Sequence, residues 1–148
     1  MAVVRTVILI AATVCACCGA EIRIRVIKSK NARPKAAVAL QVYLFDDAGP
    51  RLRQLIPGTR RTQTDDTGVA VVDIPVVRQR SIAISFQDGC SPGEYSLEEI
   101  LRTGIVGKNG CWHNSPELKK IVPTPGEIIV FADQLNLFER IKHRELWP

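Results

Sequence analysis

The chain has 148 residues, of which 46% are hydrophobic and 24% charged, and its formal net charge is +5. This length fits one domain with a modest core, and this charge suits solubility and weak attraction to anionic surfaces. The basic residues are scattered among acids, aromatic residues make up 5% of the chain, and no recognition motif is present, so the composition argues against a nucleic-acid-binding protein.

The first twenty residues, MAVVRTVILIAATVCACCGA, predict a secretory signal peptide. Arg5 precedes an apolar run from Val7 to Ala16, which is shorter than the roughly 20 residues that a membrane anchor needs. Cleavage after Ala20 would remove one cation and no acid, which leaves a charge of +4. The stretch VCAC instead resembles a bacterial lipobox with Cys17 as the lipidated residue. We therefore expect export to the periplasm or beyond, with a lipid anchor as an open alternative.

Residues 21–132 read as a run of short strands. The stretches are EIRIRVIKSK, AVALQVYLFDDAGP, RLRQLIPG, TRRTQT, VAVVDIP, RQRSIAISF, LKKIVP and GEIIVFA. The first alternates Ile22, Ile24 and Val26 with Arg23, Arg25 and Ile27, which predicts an antiparallel strand that covers a core with the first set and turns the second set to solvent. The last is apolar throughout, which predicts a central strand. Seven to eight strands with frequent turn signals predict an all-β fold, a Greek-key β-sandwich of the prealbumin-like or Ig-like kind, with a small barrel as the alternative.

Two cysteines, Cys90 and Cys111, remain after the signal region, and an even pair in an oxidising compartment predicts a disulfide. Between them Ser96 and Glu99 form a capping-box pattern, which predicts a short helix over 97–103 that ends at Gly104. We therefore expect a disulfide-closed loop that carries one helix. On the chain-entropy model the crosslink should contribute roughly 3 kcal/mol to stability.

The last segment, 133–148, departs from the strand pattern. Asp133 can cap the start of a helix. Leu137 and Ile141 lie four residues apart and would share one side of this helix, with basic residues on the opposite side. This predicts a short amphipathic C-terminal helix that packs on the sandwich or is loosely attached to it. The alternative is a surface that docks onto a membrane or a partner through its basic residues and Trp147.

The stretch TDDTGVAVVDIP carries a resemblance to a known family. It matches a pattern in which a turn ending in glycine leads into a core strand, at Thr64, Asp65, Gly68, Val69, Val71 and Pro75. The chain from about residue 22 to 142 resembles the carboxypeptidase regulatory-like, transthyretin-like β-sandwich family, although Asn31 and Ala32 stand where a glycine is common. The resemblance implies a folding, docking, carbohydrate-binding or surface-binding module, with no family-wide active site to carry over.

Catalytic and metal chemistry find little support in the sequence. Cys111 and His113 are two residues apart, which raises the alternative of a small periplasmic hydrolase or thiol enzyme. Against it, Cys90 is a ready disulfide partner and no orienting third residue stands out. Cys90, Cys111, His113 and His143 lack the spacing of a metal site. We therefore predict no catalytic residue, no metal and no cofactor.

The leading hypothesis is a non-enzymatic exported β-sandwich module with a binding or structural role at the cell envelope. Its candidate binding loop presents Tyr95, Trp112 and His113, because functional surfaces concentrate on loops that rigid sheets hold in place. The expected partner is a protein or carbohydrate of the envelope and not a nucleic acid, with membrane contact through a lipid or the C-terminal helix. A transthyretin-like oligomer with a ligand pocket is a further alternative.

Overall fold

The computed structural model describes residues 19–45, 59–75 and 80–133. Residues 1–18 of the predicted signal peptide, with Cys17, the strand expected over 51–58 and the C-terminal segment after Asp133 lie outside the described residues. The described part is mostly β, which confirms the all-β prediction at that level. Its elements, in chain order, are β1 (Ala20–Lys28), β2 (Ala39–Phe45), β3 (Arg60–Gln63), β4 (Val69–Ile74), β5 (Ser81–Phe86), β6 (Tyr95–Ser96), α1 (Leu97–Arg102), β7 (Ile105–Val106), a 3-10 helix (Pro116–Lys120) and β8 (Glu127–Ala132).

The strands form two four-stranded sheets. The first sheet has the order β4-β1-β8-β7, and the second sheet has the order β3-β2-β5-β6. The second sheet is antiparallel throughout. In the first sheet β1 pairs antiparallel with β4 but parallel with β8, and β7 also pairs parallel with β8. The expectation of a purely antiparallel β1 is therefore wrong on the side that faces β8.

Alternating side chains of both sheets meet in one hydrophobic core, which also includes Leu97 and Ile100 of the helix. The alternation predicted for β1, β2, β4 and β5 is confirmed on this inner face. Each large side chain that is withdrawn from water contributes about 1.5–3 kcal/mol, so this cluster is the main source of stability. Its fully buried strand members include Ile22, Ile24, Val26, Val42, Ile74, Ile82, Ile128 and Val130.

Strand β8 is buried on both faces, and all six of its residues are buried. Its inner face enters the main core. On its outer face Ile129 and Phe131 form a second cluster with Ile27 and Leu118, and the cysteines of the predicted disulfide pack partly buried against it. Ile27 was expected on the solvent side of β1, yet it is 3% exposed because this second cluster covers it. The prediction of an internal β8 is confirmed.

The stretch LKKIVP was expected to be a strand, and this prediction is wrong. A 3-10 helix occupies Pro116–Lys120, with the Ser115 side chain accepting a hydrogen bond from the Glu117 amide. Leu118 is buried in the second cluster and Ile121, three residues later, packs partly buried against it. A three-residue spacing matches the 3-10 period and not the two-residue period of a strand.

The turn between β3 and β4 shows why the TDDTG sequence suits its place. The Asp65 carboxylate accepts hydrogen bonds from the Thr67 amide at 2.8 Å and from the Val69 amide at 3.0 Å. Gly68 has a φ of +77°, and a Cβ there would lie 2.9 Å from Pro34 Cβ. Both the backbone conformation and the close approach therefore require glycine.

Replacement of Ile129 tests the second cluster. We expect Ile129→Ala to lower the free energy of unfolding by about 2–5 kcal/mol, because it empties a fully buried site. The matched control Val71→Ala, on the exposed face of β4, should cost about 1 kcal/mol or less. Urea unfolding measures both, and equal losses in the two variants would show that the outer face of β8 is not buried.

Candidate functional site

The segment from Cys90 to Cys111, named here the crosslinked loop, follows β5 and runs beside β8, where the amides of Cys90 and Gly107 donate to the carbonyls of Phe131 and Ile129. Its helix forms as the sequence predicts, one residue shorter, because the Ser96 hydroxyl accepts a hydrogen bond from the Glu99 amide at 3.3 Å. The helix stops before Gly104, whose φ is +78°. A Cβ at Gly104 would collide with the Thr124 carbonyl, so only glycine lets the chain turn here into β7.

The predicted disulfide is confirmed. Cys90 and Cys111 are bonded, and their Cα atoms lie 5.0 Å apart. The backbone reinforces this closure, since the Gly110 amide donates to the Cys90 carbonyl at 2.7 Å. The Cys90 amide in turn donates to the Phe131 carbonyl at 3.0 Å. The crosslink therefore lies directly beside the second half of β8.

Tyr95 lies inside the loop and not on its surface. The residue is buried, and its hydroxyl oxygen lies 3.1 Å from the Ser91 carbonyl oxygen and accepts from the Lys108 amide at 3.3 Å. Burial raises the pKa of Tyr95. Its hydroxyl joins the two ends of the loop across the helix, so Tyr95 fixes the loop and offers no contact area to a partner. Its place in the expected binding surface is therefore wrong.

Asp133, directly after β8, holds the end of the crosslinked loop. Its Oδ2 accepts a hydrogen bond from the Trp112 amide at 2.6 Å, and its Oδ1 lies 2.6 Å from His113 Nδ1. The Ser29 hydroxyl donates to Oδ1 at 3.1 Å. Asp133 is 8% exposed and Ser29 is fully buried. One carboxylate thus connects the end of β8, the turn after β1 and the residues that follow Cys111.

The charged form of Asp133 is favoured by these bonds. Burial by itself raises the pKa of the carboxyl, but the hydrogen bonds from His113, Trp112 and Ser29 outweigh it, and the net pKa lies below the ordinary value of 3.8. The sequence indicated only a helix cap at this position. Three donors from two distant segments became visible only when the fold brought them together.

Cys111 and His113 do not form a nucleophile and base. The Cys111 sulfur is bonded to Cys90, and His113 Nδ1 faces the Asp133 carboxylate. Ser29 and His113 bond to the same carboxylate oxygen, which places the acid between hydroxyl and imidazole. A Ser-His-Asp triad needs the imidazole in the middle. The cluster is therefore built to position the loop.

Of the three residues expected to bind a partner, Trp112 alone keeps a large exposed surface, at 48%. The His113 side chain is 19% exposed and engaged with Asp133. Within the described residues no group of three or more His, Cys, Asp or Glu side chains is placed to hold a metal ion. In the same residues no helix is long and apolar enough to cross a membrane.

No family model matches the chain, and neither the curated proteins nor the solved structures include a significant match to it. The account of its function therefore depends on its own geometry.

Replacement of Asp133 tests its role in holding the loop. We expect Asp133→Asn to speed amide hydrogen exchange at Trp112 and His113 and to lower the free energy of unfolding by about 1–3 kcal/mol at neutral pH. Because the folded pKa lies below 3.8, the ionised carboxylate stabilises the wild type fully above that value. Its contribution is lost as the pH falls through the lowered folded pKa, so the difference between the proteins should shrink there.

The matched control is Asp65→Asn, which removes the carboxylate of the β3–β4 turn. It should leave exchange at Trp112 and His113 unchanged. Equal exchange at those two amides in Asp133→Asn and wild type would contradict the role assigned to Asp133.

Proposed function

We propose that the protein is a non-enzymatic, exported module with a binding or structural role at the cell envelope. The observation that supports this most directly is the Cys90–Cys111 crosslink. It occupies the thiol on which the competing enzyme hypothesis depends. It also closes a segment that packs against β8, which is what a structural crosslink does.

Export is part of this proposal. Structural disulfides persist in oxidising compartments such as the periplasm and are rare in the cytosol, and a partly buried crosslink against the second cluster fits that environment. The signal-like first twenty residues and the lipobox-like Cys17 are in accord with it. We propose that the mature protein works outside the cytoplasm, either free or lipid-anchored.

The fold within this proposal is a Greek-key β-sandwich of the carboxypeptidase regulatory-like, transthyretin-like family. Two features support it. Side chains from both four-stranded sheets share one core. The turn from Thr64 to Gly68 uses the Thr64 hydroxyl to accept from the Val38 amide at 2.9 Å and to donate to the Lys35 carbonyl at 3.0 Å. The motif that carries the resemblance thus joins the first long loop to the β3–β4 turn.

Thiol mapping tests the proposal. In protein isolated from an oxidising compartment, we expect peptide mass analysis after alkylation to find Cys90 and Cys111 crosslinked in every molecule. Replacement of both by alanine should lower the free energy of unfolding by roughly 3 kcal/mol.

The decisive contrast is between single variants. Cys90→Ala leaves a free thiol at Cys111, whereas Cys111→Ala removes it. If the crosslink is structural, both should be destabilised alike and neither should react with thiol-directed substrate analogues faster than an unfolded cysteine peptide does. A rapidly reacting Cys111 in the wild-type protein would overturn the proposal in favour of a thiol enzyme.

A further inference from the structure

The outer face of the second sheet carries a row of polar side chains. Gln41 of β2 lies opposite Arg61 of β3 on one side and opposite Ser85 of β5 on the other. Directly opposed residues of antiparallel strands share one face, with Cβ atoms about 4.5–5.5 Å apart. The inner face belongs to Leu40 and Val42, so these three side chains all lie on the outside.

Among the described residues, Gln41, Arg61 and Ser85 have no side-chain hydrogen bond or ion pair, and the same holds for Gln87. Arg61, Ser85 and Gln87 are exposed and Gln41 is half-buried. Within the described part of the chain, a guanidinium, two amides and a hydroxyl of this row are therefore available to a ligand.

The row lies in an open depression of about 370 Å³, within the usual 300–1,000 Å³ of small-molecule sites. Of the described residues that line it, Arg61 is the sole charged one, and no lining carboxylate neutralises it. The near loops, around residues 36–38, 64–67 and 87–88, are all described.

We propose that this depression is a binding site for an anionic polysaccharide, one whose pyranose rings carry carboxylate groups. The inference rests on the binding role proposed above and names its ligand class. Arg61 is the carboxylate-recognising group, because its planar guanidinium pairs with a carboxylate through two parallel hydrogen bonds. Gln41, Ser85 and Gln87 supply both donors and acceptors, as ring hydroxyls require.

Tyr43 extends the site along β2. It is two residues beyond Gln41 on the same face, and its cross-strand partner is Ala83, which is too small to cover a ring. The Tyr43 side chain is half-buried and has no hydrogen bond among the described residues. An aromatic face beside polar groups suits the apolar C–H face of a sugar ring. An acidic peptide would use Arg61 but has no need of this combination.

Titration with trigalacturonate, followed by amide chemical shifts of the full crosslinked protein, tests the site. We expect saturable shifts at Gln41, Arg61 and Ser85, with affinity that falls as salt rises. Arg61→Gln should weaken binding about ten-fold or more, because it removes a charge-assisted pair, and Tyr43→Ala should weaken it as well. Thermal unfolding verifies that both variants remain folded.

The matched control is Arg60→Gln. Arg60 is the adjacent residue of β3 and lies opposite Val42, on the other face of the sheet. It should bind trigalacturonate as the wild type does. If Arg60→Gln and Arg61→Gln weakened binding equally, the loss of affinity would come from the lower net charge alone, and the proposed site would be overturned.

Two comparison ligands settle the chemistry. A neutral galactose trisaccharide that bound equally well would overturn recognition of the carboxylate, and triglutamate that bound equally well would overturn recognition of the sugar. The absence of saturable shifts with trigalacturonate at millimolar concentration would overturn the site itself. None of these results touches the crosslink, so failure of the site and failure of the proposed non-enzymatic role, which thiol mapping reports, remain distinguishable.

Discussion

Burial of β8 on both faces is the constraint on which the rest of the structure depends. One face of a strand can be covered by the opposing sheet, and here Ile128 and Val130 are covered in that way. The other face carries Ile129 and Phe131, which need a separate cover. Ile27 of β1 and Leu118 of the 3-10 helix provide it, and the Cys90–Cys111 disulfide packs against the same cluster. The disulfide therefore belongs to the cover that the apolar outer face of β8 requires.

Two buried carboxylates mark the ends of this strand. Glu127 begins it and accepts from Arg25 Nε at 2.9 Å and from the Thr124 amide at 3.0 Å. Asp133 follows it and holds the loop. Burial raises the pKa of Glu127, but its bonds to Arg25 and Thr124 outweigh this and the net pKa is lowered, as it is for Asp133. Both acids are ionised and satisfied in the fold, so they position β8 without leaving an unpaired buried charge. These two acids therefore have a structural role at the ends of β8.

The sequence predicted those features that depend on local pattern. Alternation identified the inner face of β1, β2, β4 and β5, and Ser96 with Gly104 marked the helix, because these signals act within a few residues. The parallel pairing of β1 with β8 could not be predicted from the sequence, because the topology of the whole chain, and not the local pattern, decides which strands lie beside β1. Leu118 and Ile27 were misassigned for the same reason, because their burial depends on a second cluster formed by distant segments. The disulfide was predictable because two cysteines remain after the signal region. The partners of Asp133 were not predictable, because they come from segments about 20 and 100 residues away along the chain.

The most direct test of this account is native-state hydrogen exchange along β8 with the disulfide intact and after reduction. We predict that reduction lowers protection at Ile129, Phe131 and the crosslinked loop, while the central strands of the second sheet, β2 and β5, keep their protection. This result would show that the crosslink fixes the cover of β8 in particular. Equal loss of protection in both sheets, or none at β8, would contradict the account.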